Sequence, residues 1–252
     1  MNKYFLKLNA TKSQVIVFSP PNSNAPVLID HIIMKDNSFI HISDKVTSLG
    51  VILDKFLSFT PQISSIISQG YMIIRDIGRI RRYLSNEDVK TLINSFIISR
   101  VDSCNSLLYG ISTHDLNRLQ MLQNSCARLV FGRRKFDHVH DLYHNLHWLP
   151  IRARIIYKII CFVFKCLHNM APIYLSSILQ PKLNSDSSTL VVPRRKHRIG
   201  DRAFSTCGPA LWNALPASIR LTSSFHTFKR HLKHHLFTNF DNYLQVLYRY
   251  RC

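Results

Sequence analysis

Four histidines that lie close together in the sequence are the residues that most resemble a metal-binding site: His138, His140, His144 and His147. His140 and His144 are spaced by one helical turn, which is a spacing that zinc ligands use. No pair of cysteines accompanies them to complete a tetrahedral ligand set. We therefore predict no metal site here.

The six cysteines lack the spacing and the surroundings of reactive thiols. No two of them form Cys-x-x-Cys. Cys161 and Cys166 lie near His168 in the sequence, but no feature marks either thiol as activated. We predict free cysteines that pack in the core of a protein kept in a reducing compartment.

Carboxylates are scarce, because 14 acidic residues stand against 33 lysines and arginines and only Glu87 is a glutamate. A two-metal polymerase or nuclease needs clustered carboxylates to hold its cations. The sequence contains no Asp-Asp, Asp-x-Asp or His-Glu-x-x-His. Glu87 and Asp88 follow Ser85 and suit the N-terminus of a helix instead. We predict that the chain by itself is not an enzyme and uses no cofactor.

The formal net charge of +19 and the pI near 10 make nucleic acid the leading partner class. A compact chain of this charge repels itself unless a polyanion neutralises it. We expect RNA, DNA or an RNA/DNA hybrid as the partner, and neither a membrane nor a small-molecule substrate. The alternative is a basic ribosomal-type sequence or a merely biased composition.

Clusters of cations mark the places where phosphates can bind. The densest run, residues 193–198, suits a phosphate contact, a flexible surface segment or a localisation signal. The predicted nucleic-acid contacts are Lys12, Arg79, Arg81, Arg82, Arg133, Arg134, Lys135, Arg154, Lys158, Lys165, Arg194, Arg195, Lys196, Arg198, Lys229, Arg230 and Lys233.

The predicted secondary structure that positions these cations changes along the chain from short strands to helices. Short β-branched runs predict strands at residues 14–18, 27–34, 39–42 and 48–53, with the first and last as possible partners. Gly50 inside the last run indicates a bulge or a close backbone approach. From Thr60 onward, apolar residues recur with helical spacing.

Four longer helices follow from that spacing. Pro61 suits the start of a helix that reaches Tyr83, with possible kinks near Gly70 or Gly78. A second helix begins at residues 85–88 and has Val89, Leu92, Ile93, Phe96 and Ile97 on one face. A third begins at Ser112 or Thr113 and stops at Gly132. The last is marked by Phe225, Phe228, Leu232 and Leu236, which follow one another at spacings of three and four.

The central helix begins behind Trp148 and Pro150. Its apolar face is predicted from the period as Ile151, Ile155, Ile159, Phe162, Val163, Cys166 and Met170. Arg154, Lys158 and Lys165 fall on the opposite side, either as a solvated face or as phosphate contacts. The aromatic residues Trp148, Tyr157, Phe164 and Trp212 suit either base stacking or, more commonly at such spacing, the core.

The predicted fold class is therefore α+β and predominantly α-helical. Residues 1–58 form a β-rich unit, 59–135 and 136–240 form two helical regions, and 241–252 form a tail. The N-terminus lacks the apolar run of a signal peptide, and no stretch is apolar enough to span a bilayer. We expect a soluble intracellular protein, nuclear or cytoplasmic, that is not secreted.

Several segments, taken in order, resemble the reverse transcriptases of LINE-type, non-LTR retrotransposons, including jockey-like elements. The N-terminal segment resembles the family's sequence just after the catalytic loop, and residues 46–64 resemble the following palm hairpin and its passage into the thumb. The sequence LHWLP-x-x-x-RI-x-YKI resembles a pattern of the C-terminal region. The segments that carry the resemblance are residues 2–18, 46–64, 146–160, 171–175, 200–205, 209–216 and 228–232.

The resemblance implies a palm remnant over residues 1–58, thumb-like helices over 59–135 and a C-terminal helical region over 136–240. In the family, two aspartates in a Tyr-x-Asp-Asp loop and a third carboxylate lie before the segment that this chain matches at its start. Lys12 matches a family lysine that can assist phosphoryl transfer, but only beside carboxylates that hold Mg²⁺. The resemblance therefore implies a truncated, inactive derivative of an Mg²⁺-dependent polymerase.

Two functional expectations follow. The first is binding of RNA, DNA or their hybrid through backbone phosphates, without sequence preference and with strong sensitivity to salt. The second, of another class, is a structural or protein-interaction module, or a translated relic of a retrotransposon without a function.

Overall fold

The computed structural model describes residues 9, 12–19, 31–33, 39–182, 188–194 and 198–238, apart from the side chains of residues 198 and 199. The predicted fold class is confirmed, because small antiparallel sheets precede a predominantly helical body. The strands are β1 (His31–Ile33), β2 (Phe39–His41), β3 (Lys45–Ser48) and β4 (Val51–Asp54). The α-helices are α1 (Thr60–Ile80), α2 (Asn86–Ile93), α3 (Ser99–Asp102), α4 (Thr113–Val130), α5 (His140–Leu146), α6 (Ile151–Leu167), α7 (Ile173–Ser176), α8 (Arg198–Arg202), α9 (Phe204–Asn213), α10 (Ala217–Arg220) and α11 (Phe225–Thr238).

The predicted strand over residues 48–53 is wrong in its bounds, because its middle is a turn. Leu49 and Gly50 have φ angles of 49° and 81° and join β3 to β4, so Gly50 provides a tight turn rather than a bulge. β1 pairs with β2 within the predicted runs 27–34 and 39–42. The rest of the run 27–34 lies outside the described residues.

The predicted strand over residues 14–18 is also wrong, since its described residues form only an isolated parallel bridge between Val15 and Ile42. The segment runs beside the β3–β4 hairpin without joining its ladder. The side-chain oxygen of Gln14 accepts a hydrogen bond from Thr47 N at 3.0 Å, and Ser19 N donates to Lys55 O at 3.0 Å.

Helices α1 and α4 lie side by side and run in the same direction. Near their N-termini, Thr60 Oγ1 donates to Asp115 Oδ2 at 2.7 Å. Midway, a Cβ atom on Gly70 would lie 2.8 Å from the Leu122 side chain, and α1 continues as a regular helix through this point. Gly70 therefore permits close approach of the two helices, and α1 spans both Gly70 and Gly78 without interruption.

Helix α1 ends at Ile80, and a 3₁₀ turn over Arg81–Tyr83 completes the predicted span to residue 83. Ser85 then caps α2 with a capping box: its hydroxyl accepts from Asp88 N at 3.2 Å, and Ser85 N donates to the Asp88 carboxylate at 3.1 Å. This confirms the predicted helix start.

A π-helical stretch, Asn94–Ile98, joins α2 to α3. The predicted helix face is wrong at Phe96, because this residue is 51% exposed while Ile97 and Ile98 are buried. A π-helical turn inserts an extra residue and rotates the residues that follow it about the axis. The pattern of a regular helix therefore fails at this position.

Ser112 caps α4 as predicted, and its hydroxyl accepts from Asp115 N at 3.1 Å. The helix ends at Val130, and Gly132 follows with a φ of 61°. Its backbone allows Arg133 N to donate to Arg128 O at 2.8 Å, which closes the helix end. The predicted stop at Gly132 is confirmed.

The core surrounds α6, as predicted for the central helix. Most of its predicted apolar face is buried, whereas Phe162 is half-buried and Met170 lies beyond the helix and is exposed. Phe164 stacks on Phe228 of α11 with ring centroids 4.2 Å apart. Trp212 of α9 is fully buried, and its indole N–H donates to Ser188 O at 2.8 Å.

One hydrophobic core runs from Val51 to Leu236. It joins the regions predicted as residues 59–135 and 136–240, since α4 and the 3₁₀ turn Asn105–Leu108 both pack on α6. The side chain of Gln120 accepts from Ile151 N at 3.0 Å, and Gln123 donates to Leu149 O at 2.9 Å. The predicted tail, residues 241–252, lies outside the described residues.

Candidate nucleic-acid interface

Cations of α6 and α11 converge on one surface, which we call the α6–α11 basic face: Arg154, Lys158, Lys165, Lys229 and Lys233. The Nζ atoms of Lys165 and Lys229 lie 5.2 and 5.0 Å from the centroid of the same Phe225 ring. Packing of Phe164 on Phe228 holds the two helices together beneath them. Residues widely separated in the sequence thus form one cationic surface.

Electrostatic effects link the remaining members of this face. Burial raises the pKa of the Cys161 thiol to about 11, opposed by a hydrogen bond with Tyr157. The positive charges of Lys158, Lys229 and Lys165 further oppose the rise, which places all three near this thiol. Lys233 is exposed as a residue, but partial desolvation of its ammonium group and the charge of Arg154 both lower its pKa. Such mutual repulsion favours an anionic ligand that neutralises the face.

Arg154 is the member of the face that is already paired. Its Nε and Nη2 atoms donate to the two carboxylate oxygens of Asp102 at 2.9 and 2.7 Å. The side chain is 16% exposed. A bidentate pair of this geometry occupies the planar donor edge of the guanidinium. The lysines of the face are therefore better placed than Arg154 to donate hydrogen bonds to a phosphate. Lys158 and Lys233 are exposed, and Lys165 and Lys229 are half-buried.

A second group of predicted contacts lies where the C-terminal ends of α1 and α4 meet. Arg81 is a structural residue here: Nε donates to Leu129 O at 2.9 Å, and Nη2 donates to Val130 O at 2.8 Å. Its Nη1 donates to Leu84 O at 2.8 Å. A cation at this position satisfies the free carbonyl groups at the end of α4 and favours its negative dipole end.

The neighbours of Arg81 remain exposed. Arg79 forms an ion pair with Asp76 at 3.3 Å between two solvent-exposed side chains, and Arg82 lies over the Tyr83 ring at 4.6 Å. Arg75, which is not among the predicted contacts, is also exposed on α1. The spacing of residues 75, 79 and 82 by four and three places them on one helical stripe, and this signal was available in the sequence.

The run Arg133, Arg134 and Lys135 lies in the turn after α4, and all three side chains are exposed. We call residues 133–137 the basic turn. Arg81 brings the end of α1 against the end of α4, so the basic turn and Arg82 lie at the same end of the helix pair.

The remaining predicted contacts are dispersed. Lys12, Arg194 and Arg230 are exposed, and Arg230 lies on α11. Arg195, Lys196 and the side chain of Arg198 lie outside the described residues. The structure therefore brings together the cations of α6 with those of α11, and those of α1 with the basic turn.

The residues that could support metal binding, thiol chemistry or base stacking have mainly structural roles. Among the described residues, no group of three or more His, Cys, Asp or Glu side chains is arranged to hold a metal ion. Cys126, Cys161, Cys166 and Cys207 are buried free thiols, as predicted for core cysteines, whereas Cys104 is exposed. Burial raises the pKa of Cys126 and of Cys207 to about 12. Trp148, Phe164 and Trp212 are buried, so they pack in the core as the more common alternative predicted.

Searches of family models, curated proteins and solved structures find no match to this chain. In the part of the chain that the structure describes, the helices are too short or too polar to cross a bilayer.

Proposed function

We propose that this protein binds RNA, DNA or their hybrid through backbone phosphates and without sequence preference. The observation that carries the proposal is the convergence of Lys165 and Lys229 on one Phe225 ring, within the α6–α11 basic face. The one carboxylate bonded to this face, Asp102, is occupied by Arg154, which leaves the lysines without an acidic partner among the described residues. The net charge of +19 supports the same partner class.

The test is a binding titration over an about tenfold range of salt with a duplex DNA, a duplex RNA and a hybrid of one length. Each lysine that contacts a phosphate contributes about 0.9 to the slope of log affinity against log salt on duplex DNA. The variant carrying Lys158→Gln, Lys165→Gln, Lys229→Gln and Lys233→Gln should lower that slope by up to about 3.6.

The matched control carries Lys45→Gln, Lys55→Gln, Lys90→Gln and Lys182→Gln. It changes the net charge by the same amount at positions outside the face and should retain most of the slope. Equal losses in the two variants would assign binding to net charge alone. Affinity that does not change with salt would overturn the proposal.

We further propose that the chain derives from a LINE-type reverse transcriptase, with residues 1–58 as palm remnant and 59–135 as thumb. The support for this origin is the ordered sequence resemblance of segments that include residues 46–64, 146–160 and 200–205. Two of these segments contact each other, because Arg202 Nη1 donates to Leu57 O at 2.9 Å. The guanidinium also lies over the Phe59 ring at 5.6 Å. On this proposal the chain binds a primer–template but does not extend it. Primer extension by the purified chain with Mg²⁺ and nucleotides would overturn that part.

A protein-interaction module is the second candidate function, favoured by exposed apolar side chains around α7. Ile173 and Tyr174 are 86% and 73% exposed, and Met170 and Ile178 are exposed nearby. Isolated exposed apolar residues are ordinary, but a cluster of them in one short segment is typical of an interaction surface. Sedimentation over a range of protein concentrations tests this candidate. Self-association that Ile173→Ser and Tyr174→Ser abolish would support it.

A further inference from the structure

Phe136 is an exposed aromatic residue in the basic turn, and it is not a member of the α6–α11 basic face. It is 86% exposed, although burial of a phenylalanine side chain normally stabilises a fold. Arg133, Arg134 and Lys135 precede it directly, and all three are exposed. An exposed apolar ring flanked by cations matches the chemistry of a ligand that combines negative charge with a flat apolar face.

The turn that presents the ring is held by hydrogen bonds at both ends. Asp137 N donates to Arg134 O at 3.2 Å, and Arg134 N donates to the Asp137 carboxylate at 2.9 Å. Arg128 of α4 fixes the exit of the turn, because its Nε donates to Asp137 O at 2.9 Å. Residues 135 and 136 therefore occupy the tip of an ordered turn anchored to a long helix. A ligand that binds there does not have to order the chain first.

The ring also has a cation beside it. Lys135 Nζ lies 5.4 Å from the centroid of the Phe136 ring, and the exposed fraction shows that most of the ring surface is open to solvent. A nucleobase stacked on the open surface would carry its own phosphate into reach of the adjacent cations. Stacking on aromatic side chains tolerates every base, because each base has a π face.

We propose that Phe136 is a stacking site for an unpaired nucleobase, and that the basic turn thereby binds single-stranded nucleic acid. This inference rests on the proposed function, since the cations of the turn must contact the phosphates of the same strand. The two proposals differ in the nucleic-acid structure that the protein would select. Phosphate contacts alone bind duplexes and single strands alike, whereas stacking on Phe136 requires a base outside a helix.

The experiment compares a thymidine oligonucleotide with an abasic strand of the same length, which keeps the phosphates and lacks the bases. The protein should bind the thymidine strand about tenfold or more tightly than the abasic strand. Phe136→Ala and Phe136→Leu should abolish that preference and leave the salt dependence unchanged. Phe136→Trp should retain the preference because it retains an aromatic face.

Ile173→Ala is the matched control, because Ile173 is also 86% exposed but has no cation among its immediate sequence neighbours. It should keep the preference for bases. A preference that survives Phe136→Ala, or native protein that binds both strands equally, would overturn the stacking site while leaving phosphate binding intact. Failure to bind either strand, or binding that does not respond to salt, would instead overturn the proposed function.

Discussion

The guanidinium of Arg154 forms a bidentate pair with the carboxylate of Asp102, with N–O distances of 2.9 and 2.7 Å. Asp102 is the last residue of α3 and Arg154 lies in the first turns of α6, so the pair joins the two helical regions that the sequence suggested. It also removes one cation from the α6–α11 basic face. The Arg154 side chain therefore contributes to the fold and reduces the number of cations on this face that can bind a phosphate.

Asp102→Asn should release Arg154 toward the ligand. The substitution removes the charge of the carboxylate, so Arg154 becomes able to contact a phosphate of the duplex. We expect tighter duplex binding and a slope of log affinity against log salt that is steeper by about 0.9. Loss of the charge-assisted bonds should lower the free energy of unfolding by about 1 kcal/mol. Asp44→Asn is the matched charge change, at an exposed pair with Lys55. Equal effects of both variants on binding would contradict a role for Arg154.

Arg81 and Arg82 should differ sharply in their effects on stability. Arg81 donates hydrogen bonds to Leu129 O, Val130 O and Leu84 O, whereas Arg82 is exposed. Arg81→Ala leaves the carbonyl groups at the end of α4 without these donors and should lower the free energy of unfolding by about 2–4 kcal/mol. Arg82→Ala should change it by no more than about 0.5 kcal/mol. Urea titrations of both variants provide the comparison.

Alanine substitutions at two glycines of α1 should have opposite signs. A Cβ atom at Gly70 would meet the fully buried Leu122 at 2.8 Å, whereas a Cβ atom at Gly78 meets nothing within 4 Å. Gly78→Ala should stabilise the protein by about 0.5–1 kcal/mol through helix propensity. Gly70→Ala should destabilise it by about 1–2 kcal/mol because Leu122 has no free space. Thermal unfolding measures both, and stabilisation by Gly70→Ala would mean that α1 and α4 are farther apart.

Asp115 should make the stability of the protein sensitive to acid. Burial acts to raise the pKa of Asp115, but hydrogen bonds from Thr60, Arg118 and Ser112 outweigh it and hold this pKa below the ordinary value of 3.8. A carboxylate whose pKa is depressed by folding stabilises the protein fully above the unfolded value, and that stability is lost as pH falls through the folded value. Asp54 has its pKa lowered in the same way, despite burial, by backbone N–H groups that include Ser58 and Phe59.

The free energy of unfolding should therefore fall as pH decreases below 3.8, the ordinary carboxyl pKa. Asp115→Asn should be less stable than the native protein at neutral pH and should lose less stability on acidification. Urea titrations at about pH 7 and about pH 3 measure the difference. Identical pH dependence of the two proteins would show that Asp115 contributes nothing to the acid response.

The sequence alone predicted five of the helices, α1, α2, α4, α6 and α11, and the start of several of them. The caps at Ser85 and Ser112, the stop at Gly132 and the buried stripe of α11 depend on contacts within a few residues, so their patterns are readable in one dimension. The same reasoning placed Lys158 and Lys165 on one side of α6. It did not identify Phe136, although an aromatic residue after three cations was a visible signal.

Tertiary structure decided what each cation and glycine does. Arg81 and Arg154 look like other surface cations in the sequence, yet their partners lie about 50 residues away along the chain. In the sequence, Gly70 suggests a helix kink, whereas in the structure Leu122 packs against it. Phe96 is exposed because a π-helical stretch shifts the helix period. The α6–α11 basic face exists because Phe164 packs on Phe228. Such long-range packing depends on the whole core, and no local period of the sequence encodes it.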